Sequence, residues 1–538
     1  MLKDRGVDVI FGIPGVHNQE MYRGIEEAGI THVLARHEQG AGFMADGYAR
    51  ATGKPGVAYV ITGPGLCNIM TPMGQAYSDS VPMLVISSCL DETAAKRGQL
   101  HQMKDQEGAA RTVCDWSETA RSAEAAYGLI DRALDEFWFS ERCPKAVHVP
   151  IALLEAPAEP ASAGGPPLAG AAVPDGAGLH NLAIWLREAR RPLFVFGGGA
   201  RWVDFMDPLL RRWSAASFTT YAGRGIAAPE DPLHFGALLA RPGSAEILES
   251  ADLVIAVGTD LAETDLWRSQ LGATAKFAAI NNDVSTLTRL AGQEGSHKLM
   301  IHGDCFAALE MLSEILPENL QSEWSNEKVA AARSRWRAEI EVERPGILPV
   351  VDALKEALPA DTMIYSDMTQ FAYAAKEVYP MDRPGHWHHP YGFGTLGYAL
   401  PAAIGGCIGR CVGFTHPTDA AGRVGETQAP TIAILGDYGF QYTVQELAVA
   451  VELELTLPII IWDNGKLGEI EDSMVRAQIA PNAVIQRNPD FCKLAEAYGA
   501  AAVAPADLLS FQQDIKDALA RKGPTLIHVK SDIALTSS

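Results

Sequence analysis

An acidic residue and an amide residue in the last third of the chain have the types and the spacing of a metal site. Asp437 follows the apolar run 431–435, and Asn464, 27 positions later, follows the apolar run 458–462. A helical pattern over 442–455 separates the two runs, so we expect strand, turn, helix and strand. Because ligand sites in open α/β sheets lie beyond the carboxyl ends of the strands, the two side chains should meet there. A carboxylate and an amide oxygen suit Mg²⁺, which combines few protein ligands with phosphate oxygens.

The glycine turn after the first of these strands predicts a phosphate-binding site. Its residues are Gly436, Asp437, Tyr438 and Gly439. A turn that opens a helix leaves backbone N–H groups free, and such groups are suited to a diphosphate. Taken alone, the same residues also fit a plain strand-turn-helix-strand with an acid and an amide at loop positions.

Composition limits the classes of protein to which the chain can belong. With 538 residues, 47% hydrophobic and 20% charged, it is a globular protein too long for one core. The formal net charge of −22 argues against nucleic acid or an anionic membrane surface as a partner. No apolar run reaches transmembrane length, and the first residues do not resemble a signal peptide. The eight cysteines are scattered without a paired-ligand pattern, which favours reduced residues of a cytoplasmic protein.

Alternating apolar runs and helical stretches predict three α/β domains, each built on a doubly wound parallel sheet. We expect these domains at residues 1–155, 177–317 and 345–535, with a proline-rich linker over 156–176. The first and third domains share the order strand, glycine turn and long helix, which suggests an internal duplication. In the middle domain, Gly197-Gly198-Gly199 follows a strand but lacks the spacing of a dinucleotide-binding loop, so we expect a structural role.

Several stretches resemble the thiamine-diphosphate enzymes, in the group that contains the acetolactate synthases and 2-oxo acid decarboxylases. The family's signature is Gly-Asp-Gly followed at about this distance by Asn, and the chain matches it except for Tyr438 in the place of the second glycine. The stretches RHEQGAGFMADGYAR from Arg36 and YGFGTLGYALPAAIG from Tyr391 also resemble the family. The resemblance implies pyrimidine-binding, central and diphosphate-binding domains, with thiamine diphosphate and Mg²⁺ as cofactors.

The resemblance also assigns roles to residues of the first and third domains. Glu38 takes the position of the carboxylate that presses on the cofactor's pyrimidine ring, so that the neighbouring amine can remove the C2 proton. A lone glutamate before a helix, here the one expected over 42–51, is otherwise explained by the helix dipole. The Gly394 carbonyl would accept from that amine, and the Leu396 side chain would separate the two rings. The remaining cofactor-binding positions are Gly15, Met368, Thr369, Gln370, Gly436, Asp437, Tyr438, Gly439 and Asn464, with Asp437, Asn464 and the Lys466 carbonyl on Mg²⁺.

The groups around the reactive C2 carbon should determine the fate of the intermediate once CO₂ has left. By position in the resembled family they are His17, His101, Gln102 and Glu469. Histidine is the usual proton carrier near neutral pH, although each of these two could instead be a hydrogen-bonded structural residue. Glu469 could relay protons, or it could pair with a guanidinium, which a carboxylate binds in bidentate fashion.

Within the family, the chain is similar to the decarboxylases of 5-guanidino-2-oxopentanoate. This similarity implies non-oxidative decarboxylation of a 2-oxo acid to an aldehyde. One alternative is an acetolactate-synthase-like carboligase, which joins the decarboxylated acid to a second carbonyl. Another is a cofactor-binding protein without catalysis, for which Tyr438 is the hint. The triplet at Gly197 leaves open whether FAD binds.

The expected partners are a small-molecule substrate and further copies of the chain. In the resembled family, the pyrimidine domain of one subunit meets the diphosphate domain of another. The resemblance therefore implies a homodimer, or a dimer of dimers, with sites at the subunit interfaces.

Overall fold

The chain folds into three β-sheets with helices on their faces. The structure, a computed structural model, describes residues 1–90, 98–139, 142–161, 172–203, 206–411 and 428–534. Part of the predicted linker, residues 162–171, lies outside this range, and the exact domain boundaries stay a prediction. The prediction of three parallel α/β domains is confirmed.

The first sheet contains six strands in the order β2-β1-β3-β4-β6-β5, all paired in parallel. The strands are β1 (Val9–Gly12), β2 (Thr31–Leu34), β3 (Gly56–Val60), β4 (Met83–Cys89), β5 (Trp116–Thr119) and β6 (Lys145–Pro150). The helices are α1 (Gln19–Glu27), α2 (Glu38–Thr52), α3 (Pro64–Ser78), α4 (Gln106–Arg111), α5 (Ala123–Phe139) and α6 (Ile151–Leu154). Every residue of β3 and β4 is buried, which explains why these strands are continuous apolar runs without alternation.

The middle sheet contains five parallel strands in the order β11-β10-β9-β7-β8. They are β7 (Pro192–Phe196), β8 (Ala216–Thr219), β9 (Leu253–Val257), β10 (Lys276–Asn281) and β11 (His297–His302). The helices are α7 (Gly176–Glu188), α8 (Met206–Arg212), α9 (Ser244–Ser250), α10 (Glu263–Leu266), α11 (Val284–Gln293), α12 (Cys305–Ile315), α13 (Asn326–Glu343) and α14 (Ile347–Ala357). A Cβ atom at Gly197 would lie 2.3 Å from the Gly258 carbonyl oxygen, so packing between two loops explains the glycine at this position.

The third sheet repeats the strand order of the first. Its strands are β12 (Met363–Ser366), β13 (Trp387–His388), β14 (Thr431–Gly436), β15 (Leu457–Asp463), β16 (Ala501–Val503) and β17 (Pro524–Lys530). Its helices are α15 (Gln370–Val378), α16 (Ala399–Gly409), α17 (Asp437–Thr443), α18 (Leu447–Glu452), α19 (Gly468–Arg476), α20 (Phe491–Tyr498) and α21 (Leu508–Ala520). The run β12-β14-β15-β17-β16 is parallel and has the same relative order as β1-β3-β4-β6-β5, as an internal duplication predicts.

The helix predicted over 442–455 begins earlier than its apolar pattern. Helix α17 starts at Asp437, and a 3₁₀ turn at Val444–Glu446 separates it from α18. Asp437 Oδ1 accepts a hydrogen bond from the Tyr438 N–H at 3.0 Å, so the acid satisfies one of the free donors of the first turn. Apolar periodicity cannot reveal a first turn that is polar, which is why the sequence placed the helix too late. In the described part of the chain, no helix combines the length and the apolarity needed to cross a bilayer.

The first sheet and all strands of the third sheet except β13 belong to one compact unit, whereas the middle sheet and β13 belong to a second. Inside the first unit, helices α2 and α16 pack with their backbones in direct contact. A Cβ atom at Gly47 would lie 1.9 Å from the Ala402 carbonyl oxygen, and one at Gly405 would lie 1.9 Å from the Met44 carbonyl oxygen. The Tyr365 hydroxyl donates to the Gly47 carbonyl at 2.8 Å. Glycine is therefore required on both helices at their crossing.

We expect Gly47→Ala to destabilise the protein by about 2 kcal/mol or more, because the added methyl group must push two backbones apart. The matched control is Gly128→Ala in α5, where a Cβ atom would meet nothing within 4 Å. That substitution should stabilise the helix by about 0.5–1 kcal/mol. Urea unfolding followed by circular dichroism measures both changes. Equal effects of the two substitutions would contradict the close packing of α2 on α16.

Candidate functional site

The side chains predicted as magnesium ligands lie together at the carboxyl ends of two adjacent strands. Gly436 of β14 is in register with Trp462 of β15, so the residues that follow each strand are neighbours. Asp437 Oδ2 accepts from the Gly465 N–H at 3.0 Å, and Asn464 Oδ1 accepts from the Lys466 N–H at 3.1 Å. These side chains offer oxygen atoms alone, which is the donor set that suits Mg²⁺.

The loop after β12 lies against the same strand ends. Asn464 Nδ2 donates to Gln370 Oε1 at 3.3 Å. A Cβ atom at Gly436 would lie 3.3 Å from Thr369 Oγ1, and one at Gly394 would lie 3.5 Å from the Met368 methyl group. The structure thus gathers the third-domain positions that the sequence predicted for a diphosphate and its metal ion.

Tyr438, the departure from the family signature, stands next to the glycine that the packing requires. A Cβ atom at Gly439 would lie 2.7 Å from Asp367 Oδ2, whereas the Tyr438 side chain is half-buried. The contact with Asp367 that leaves no room for a side chain therefore occurs at Gly439, one position after the second glycine of the signature.

Asp367 fixes the glycine-rich loop that carries Gly394 and Leu396. This fully buried carboxylate accepts from the Met368 and Gly397 N–H groups, each at 2.8 Å, and burial raises its pKa to about 7. Gly394 has φ = +67° and is exposed, and the Leu396 side chain is half-buried. Both positions are therefore open to a ligand on the solvent side of the loop.

Residues at the end of helix α3 hold the other side of this loop. Asp79 Oδ1 accepts from the Gly392 N–H at 3.0 Å, and the Thr395 hydroxyl donates to Gln75 Oε1 at 3.0 Å. The loop is thus anchored from the first and the third domain.

Asn488 is a member of the strand-end site to which the sequence analysis assigned no role. Its Nδ2 donates to Asp437 Oδ2 at 2.6 Å and to Asp463 Oδ1 at 2.9 Å, and its Oδ1 accepts from Gln486 Nε2 at 2.9 Å. It lies in RNPDF, directly before α20, where its sequence context indicates only a helix start. One amide therefore bridges two carboxylates that would otherwise repel each other.

Glu38 is the first residue of α2, four residues before the predicted helix start. The side chain of His37, the N-cap, accepts from the Gln39 N–H at 3.1 Å, which explains the earlier start. Glu38 is 9% exposed, and its Oε2 accepts from Asn68 Nδ2 at 2.8 Å. Asn68, on α3, is a second residue of the site that the sequence did not single out.

Glu446 holds the turn that leads to Glu38. This fully buried carboxylate accepts from the Arg36 N–H, at 3.1 and 3.2 Å to its two oxygens, and from the His37 N–H. A Cβ atom at Gly40 would lie 2.3 Å from the Glu446 carboxyl carbon, so Gly40 makes room for it. Burial raises the pKa of Glu446 to about 7, although both backbone hydrogen bonds favour the charged form.

His17 and His101 lie edge to face, with ring centroids 4.9 Å apart. The Nδ1 atom of each ring is buried and has no hydrogen-bond partner among the described residues. Partial burial, and then the nearby His101, lower the pKa of His17. His101 has φ = +62°, a left-handed conformation that a residue with a side chain rarely adopts and that tends to occur at functional sites.

Gly15 and Gln102, the other first-domain candidates, both use their backbone N–H groups in local hydrogen bonds. The Gly15 N–H donates to Asn18 Oδ1 at 2.7 Å, so this donor is already engaged. Gln102, next to His101, donates its N–H to the Gln99 carbonyl at 3.2 Å. Their predicted roles stay predictions.

The predicted residues thus form two groups in the chain. In the described residues, no hydrogen bond joins Glu38, His17 or His101 to the predicted magnesium ligands Asp437 and Asn464. Third-domain residues reach the turn before Glu38 at Arg36, where Glu446 accepts from the Arg36 N–H and Glu452 pairs with the Arg36 side chain.

Helix α19 begins beside the strand-end group and carries three acidic residues. Glu471 forms an ion pair with Lys466, and Asp472 Oδ2 accepts from Gln370 Nε2 at 3.1 Å. Glu469, in the first turn, is half-buried. The start of this helix is therefore tied to residues of the predicted site.

Comparison with known proteins identifies three family models along the chain. The N-terminal TPP binding domain of thiamine pyrophosphate enzymes matches residues 1–109, their central domain matches 179–312, and their C-terminal TPP binding domain matches 367–529. A protein of Pseudomonas aeruginosa named probable 2-ketoarginine decarboxylase AruI is 41% identical over 541 residues, with 98% of this chain and 92% of that protein covered. The mitochondrial acetolactate synthase catalytic subunit of Saccharomyces cerevisiae is 27% identical, with 99% and 80% covered.

The fold also matches a solved structure. An X-ray structure of a protein from Mycobacterium smegmatis, assigned as a thiamin diphosphate-dependent enzyme, superposes with a TM-score of 0.77 at 21% identity. The match covers 98% of this chain and 97% of that one. At 21% identity, this match is evidence for the fold alone.

We expect Asn488→Ala to raise the Mg²⁺ concentration needed for cofactor binding by about 10- to 100-fold, because residues that orient a metal ligand typically contribute that much to affinity. Titration of the apoprotein with Mg²⁺ at fixed thiamine diphosphate, followed by tryptophan fluorescence, measures it. Asn482→Ala, at an exposed asparagine, is the control and should titrate like the unchanged protein. An unaltered Mg²⁺ requirement in a folded Asn488→Ala protein would show that the amide does not support Asp437.

The raised pKa of Glu446 predicts a pH-dependent stability. Between about pH 4.5 and 7 the native carboxyl keeps its proton while the unfolded one loses it, so the free energy of unfolding falls as the pH rises. Glu446→Gln should remove this pH dependence. Between pH 4.5 and pH 8, the free energy of unfolding of the variant should therefore rise by up to about 3 kcal/mol relative to that of the unchanged protein. Urea unfolding at several pH values measures the difference, with the exposed Glu496→Gln as control. Parallel pH profiles for Glu446→Gln and the unchanged protein would contradict it.

Proposed function

The chain belongs to the thiamine pyrophosphate-dependent enzymes, and from this premise we propose that it decarboxylates 2-ketoarginine, which is 5-guanidino-2-oxopentanoate, to the aldehyde and CO₂. The observation that carries this proposal is the 41% identity, along almost the whole chain, to the Pseudomonas aeruginosa protein named for that reaction. The acetolactate synthases, at 27% identity, support a carboligase as the second candidate.

Thiamine diphosphate supplies a carbon nucleophile and an electron sink for the decarboxylation of 2-oxo acids. We propose that Asp437, Asn464 and the Lys466 carbonyl hold the Mg²⁺ ion that binds its diphosphate. The support is the convergence of oxygen donors beyond β14 and β15. The loops 368–370 and 436–439 would add backbone contacts to the diphosphate.

Glu38 is proposed to bind the pyrimidine ring of the cofactor. Its place at the start of α2 supports this role, because the helix dipole favours the charged carboxylate there. The hydrogen bond from Asn68 limits the orientation of the carboxylate. Gly394 and Leu396 would meet the cofactor from the loop that Asp367 anchors.

His17 and His101 are proposed as the proton carriers, with Gln102 beside them. Their unpartnered buried Nδ1 atoms and the left-handed backbone of His101 support a role beyond packing. With its lowered pKa, His17 is neutral at physiological pH, so it can accept a proton and pass it to the product.

Glu469 is the proposed partner of the substrate's guanidinium group. It lies in the first turn of α19, which makes it the acid of this helix that is nearest along the chain to the proposed magnesium ligands. Its side chain is half-buried, so solvent screens its charge less than that of an exposed acid. A bidentate carboxylate–guanidinium pair would distinguish the cationic acid from aliphatic 2-oxo acids.

We also propose a cytoplasmic homodimer or dimer of dimers. The support is the resemblance to the family, in which the pyrimidine domain of one subunit meets the diphosphate domain of another. All eight cysteines are free thiols, which suits a reducing compartment. FAD stays undecided, and a yellow purified protein would favour the carboligase.

We expect the purified enzyme, with thiamine diphosphate and Mg²⁺, to release CO₂ and free aldehyde from 5-guanidino-2-oxopentanoate faster than from 2-oxohexanoate or phenylpyruvate. Glu38→Gln should lower this turnover by about 100-fold or more, since it removes the group that activates the cofactor. The exposed Glu26→Gln is the matched control. Glu469→Gln should raise KM for the cationic acid by about tenfold and leave 2-oxohexanoate unaffected.

The products decide between the candidate functions. An acyloin product without free aldehyde would show that the protein is a carboligase and not a decarboxylase. Absence of 2-oxo acid turnover in a protein that binds both cofactors would overturn the enzymatic proposal altogether. Equal effects of Glu469→Gln on both acids would remove Glu469 from substrate recognition.

A further inference from the structure

The middle-sheet unit contains a cavity that the proposed reaction does not use. It has a volume of about 350 Å³ and lies at the sheet edge formed by β8. Its wall comes from the end of β8 and the segment after that strand, from α13, and from residues 377–381 at the end of α15. All of these residues belong to the second compact unit, so the cavity is complete within it.

The wall carries more positive than negative charge, in a chain whose net charge is −22. Arg337 is neutralised by Asp352, with both carboxylate oxygens within 2.8 Å of Nη2. Glu377 is neutralised by Arg241, 2.6 Å away. The wall also contains Arg224, which stacks on the Trp387 ring, and Arg333.

Arg333 is a half-buried guanidinium on which the charge of Glu230 acts, although these two described residues form no ion pair. Its Nη1 donates to the Pro229 carbonyl at 3.0 Å and to the His234 carbonyl at 3.5 Å. In the part of the chain that the structure describes, it forms no ion pair, and its other nitrogens form no hydrogen bond. Partly buried charges in proteins are normally paired, so this cation has a place for an anion beside it.

The histidine of the wall does not compete for that place. His234 Nδ1 is hydrogen-bonded to the Ser217 hydroxyl at 2.9 Å. Burial, together with the nearby Arg333, lowers the pKa of His234 to about 3, so the ring is neutral at physiological pH. It therefore adds no positive charge, and the attraction for an anion rests on Arg333.

A second polar group on the wall is unsatisfied. Thr219, the last residue of β8, is 1% exposed, and its Oγ1 has no hydrogen-bond partner among the described residues. A buried hydroxyl without a partner costs free energy that a ligand acceptor would recover. In the described chain, the Thr219 hydroxyl has no acceptor and the Arg333 guanidinium has no ion pair, so one negatively charged acceptor in the cavity would satisfy both groups.

Several apolar side chains of the wall indicate the shape of the ligand. It includes Phe235, Leu238, Val378, Tyr379 and Met381. The volume lies at the lower end of the range for sites that bind small organic molecules. An inorganic anion would satisfy the arginine and leave the apolar wall uncovered, so an organic anion fits better.

We propose that this cavity binds a small organic carboxylate, whose charged group pairs with Arg333 and accepts from the Thr219 hydroxyl, and whose apolar body lies against Phe235 and Leu238. The site is separate from the residues proposed for catalysis. The proposal therefore stands or falls independently of the reaction.

Calorimetric titration of the holoenzyme with 4-phenylbutanoate tests the proposal. Its neutral analogue 4-phenylbutanamide and inorganic phosphate serve as comparison probes. We expect the carboxylate to bind at least about tenfold more tightly than either, because it alone supplies both the charge and the apolar body. Arg333→Met should weaken its binding by about tenfold or more, and Thr219→Val should weaken it several-fold with little change in volume.

Arg335→Met is the matched control, since Arg335 lies on the same helix but is exposed and outside the cavity. It should bind the carboxylate like the unchanged enzyme. No binding of the carboxylate, equal binding of the amide, or stronger binding of phosphate would overturn the proposal. Binding that survives Arg333→Met and Thr219→Val and is displaced by a 2-oxo acid substrate would belong to the active site and would overturn it as well.

Discussion

The backbone contact between α2 and α16 is the constraint on which the arrangement of the candidate site depends. Two helices approach this closely where glycines face the opposing backbone, and Gly47 and Gly405 provide this on both sides. Helix α2 begins with Glu38, so fixing the helix against α16 also fixes the depth of that carboxylate. The position of the Glu38 side chain is therefore determined by packing at Gly47, nine residues away along the chain.

A buried charge network extends this constraint to the loop of Gly394. Arg50, near the end of α2, pairs with Asp46 at 2.6 Å and with Asp79 at 2.8 Å, and the Tyr398 hydroxyl donates to Asp46. Asp79 in turn accepts from the Gly392 N–H. Breaking a buried pair leaves an uncompensated charge, so such networks permit few alternative arrangements. The glycine-rich loop is thereby tied to the helix that carries Glu38.

The sequence predicted the parts of the site that follow from strand ends and left out the parts that come from distant segments. The meeting of Asp437 and Asn464 follows from two consecutive strands of one sheet, which periodicity can detect. The contact of Glu446 with the Arg36 N–H spans 410 residues, and no local pattern announces it. Asn488 lies in an irregular segment whose path the pattern of apolar residues does not determine. The pairing of His17 with His101 likewise required the fold, because the two residues come from different loops.

The two aspartates at the strand ends, Asp463 and Asp437, have opposite electrostatic surroundings. Asp463, the last residue of β15, is hydrogen-bonded to His528 at 2.8 Å and forms an ion pair with Lys530. Burial raises the pKa of Asp463, but these two interactions outweigh it and hold the pKa well below its usual value. Asp437 has no cationic partner among the described residues, and burial, together with the charge of Asp463, raises its pKa. Its ionised form is thus costly in the protein alone, and a divalent cation would remove that cost. Asp463 is therefore already compensated within the chain, whereas for Asp437 the proposed Mg²⁺ ion would supply the compensating charge.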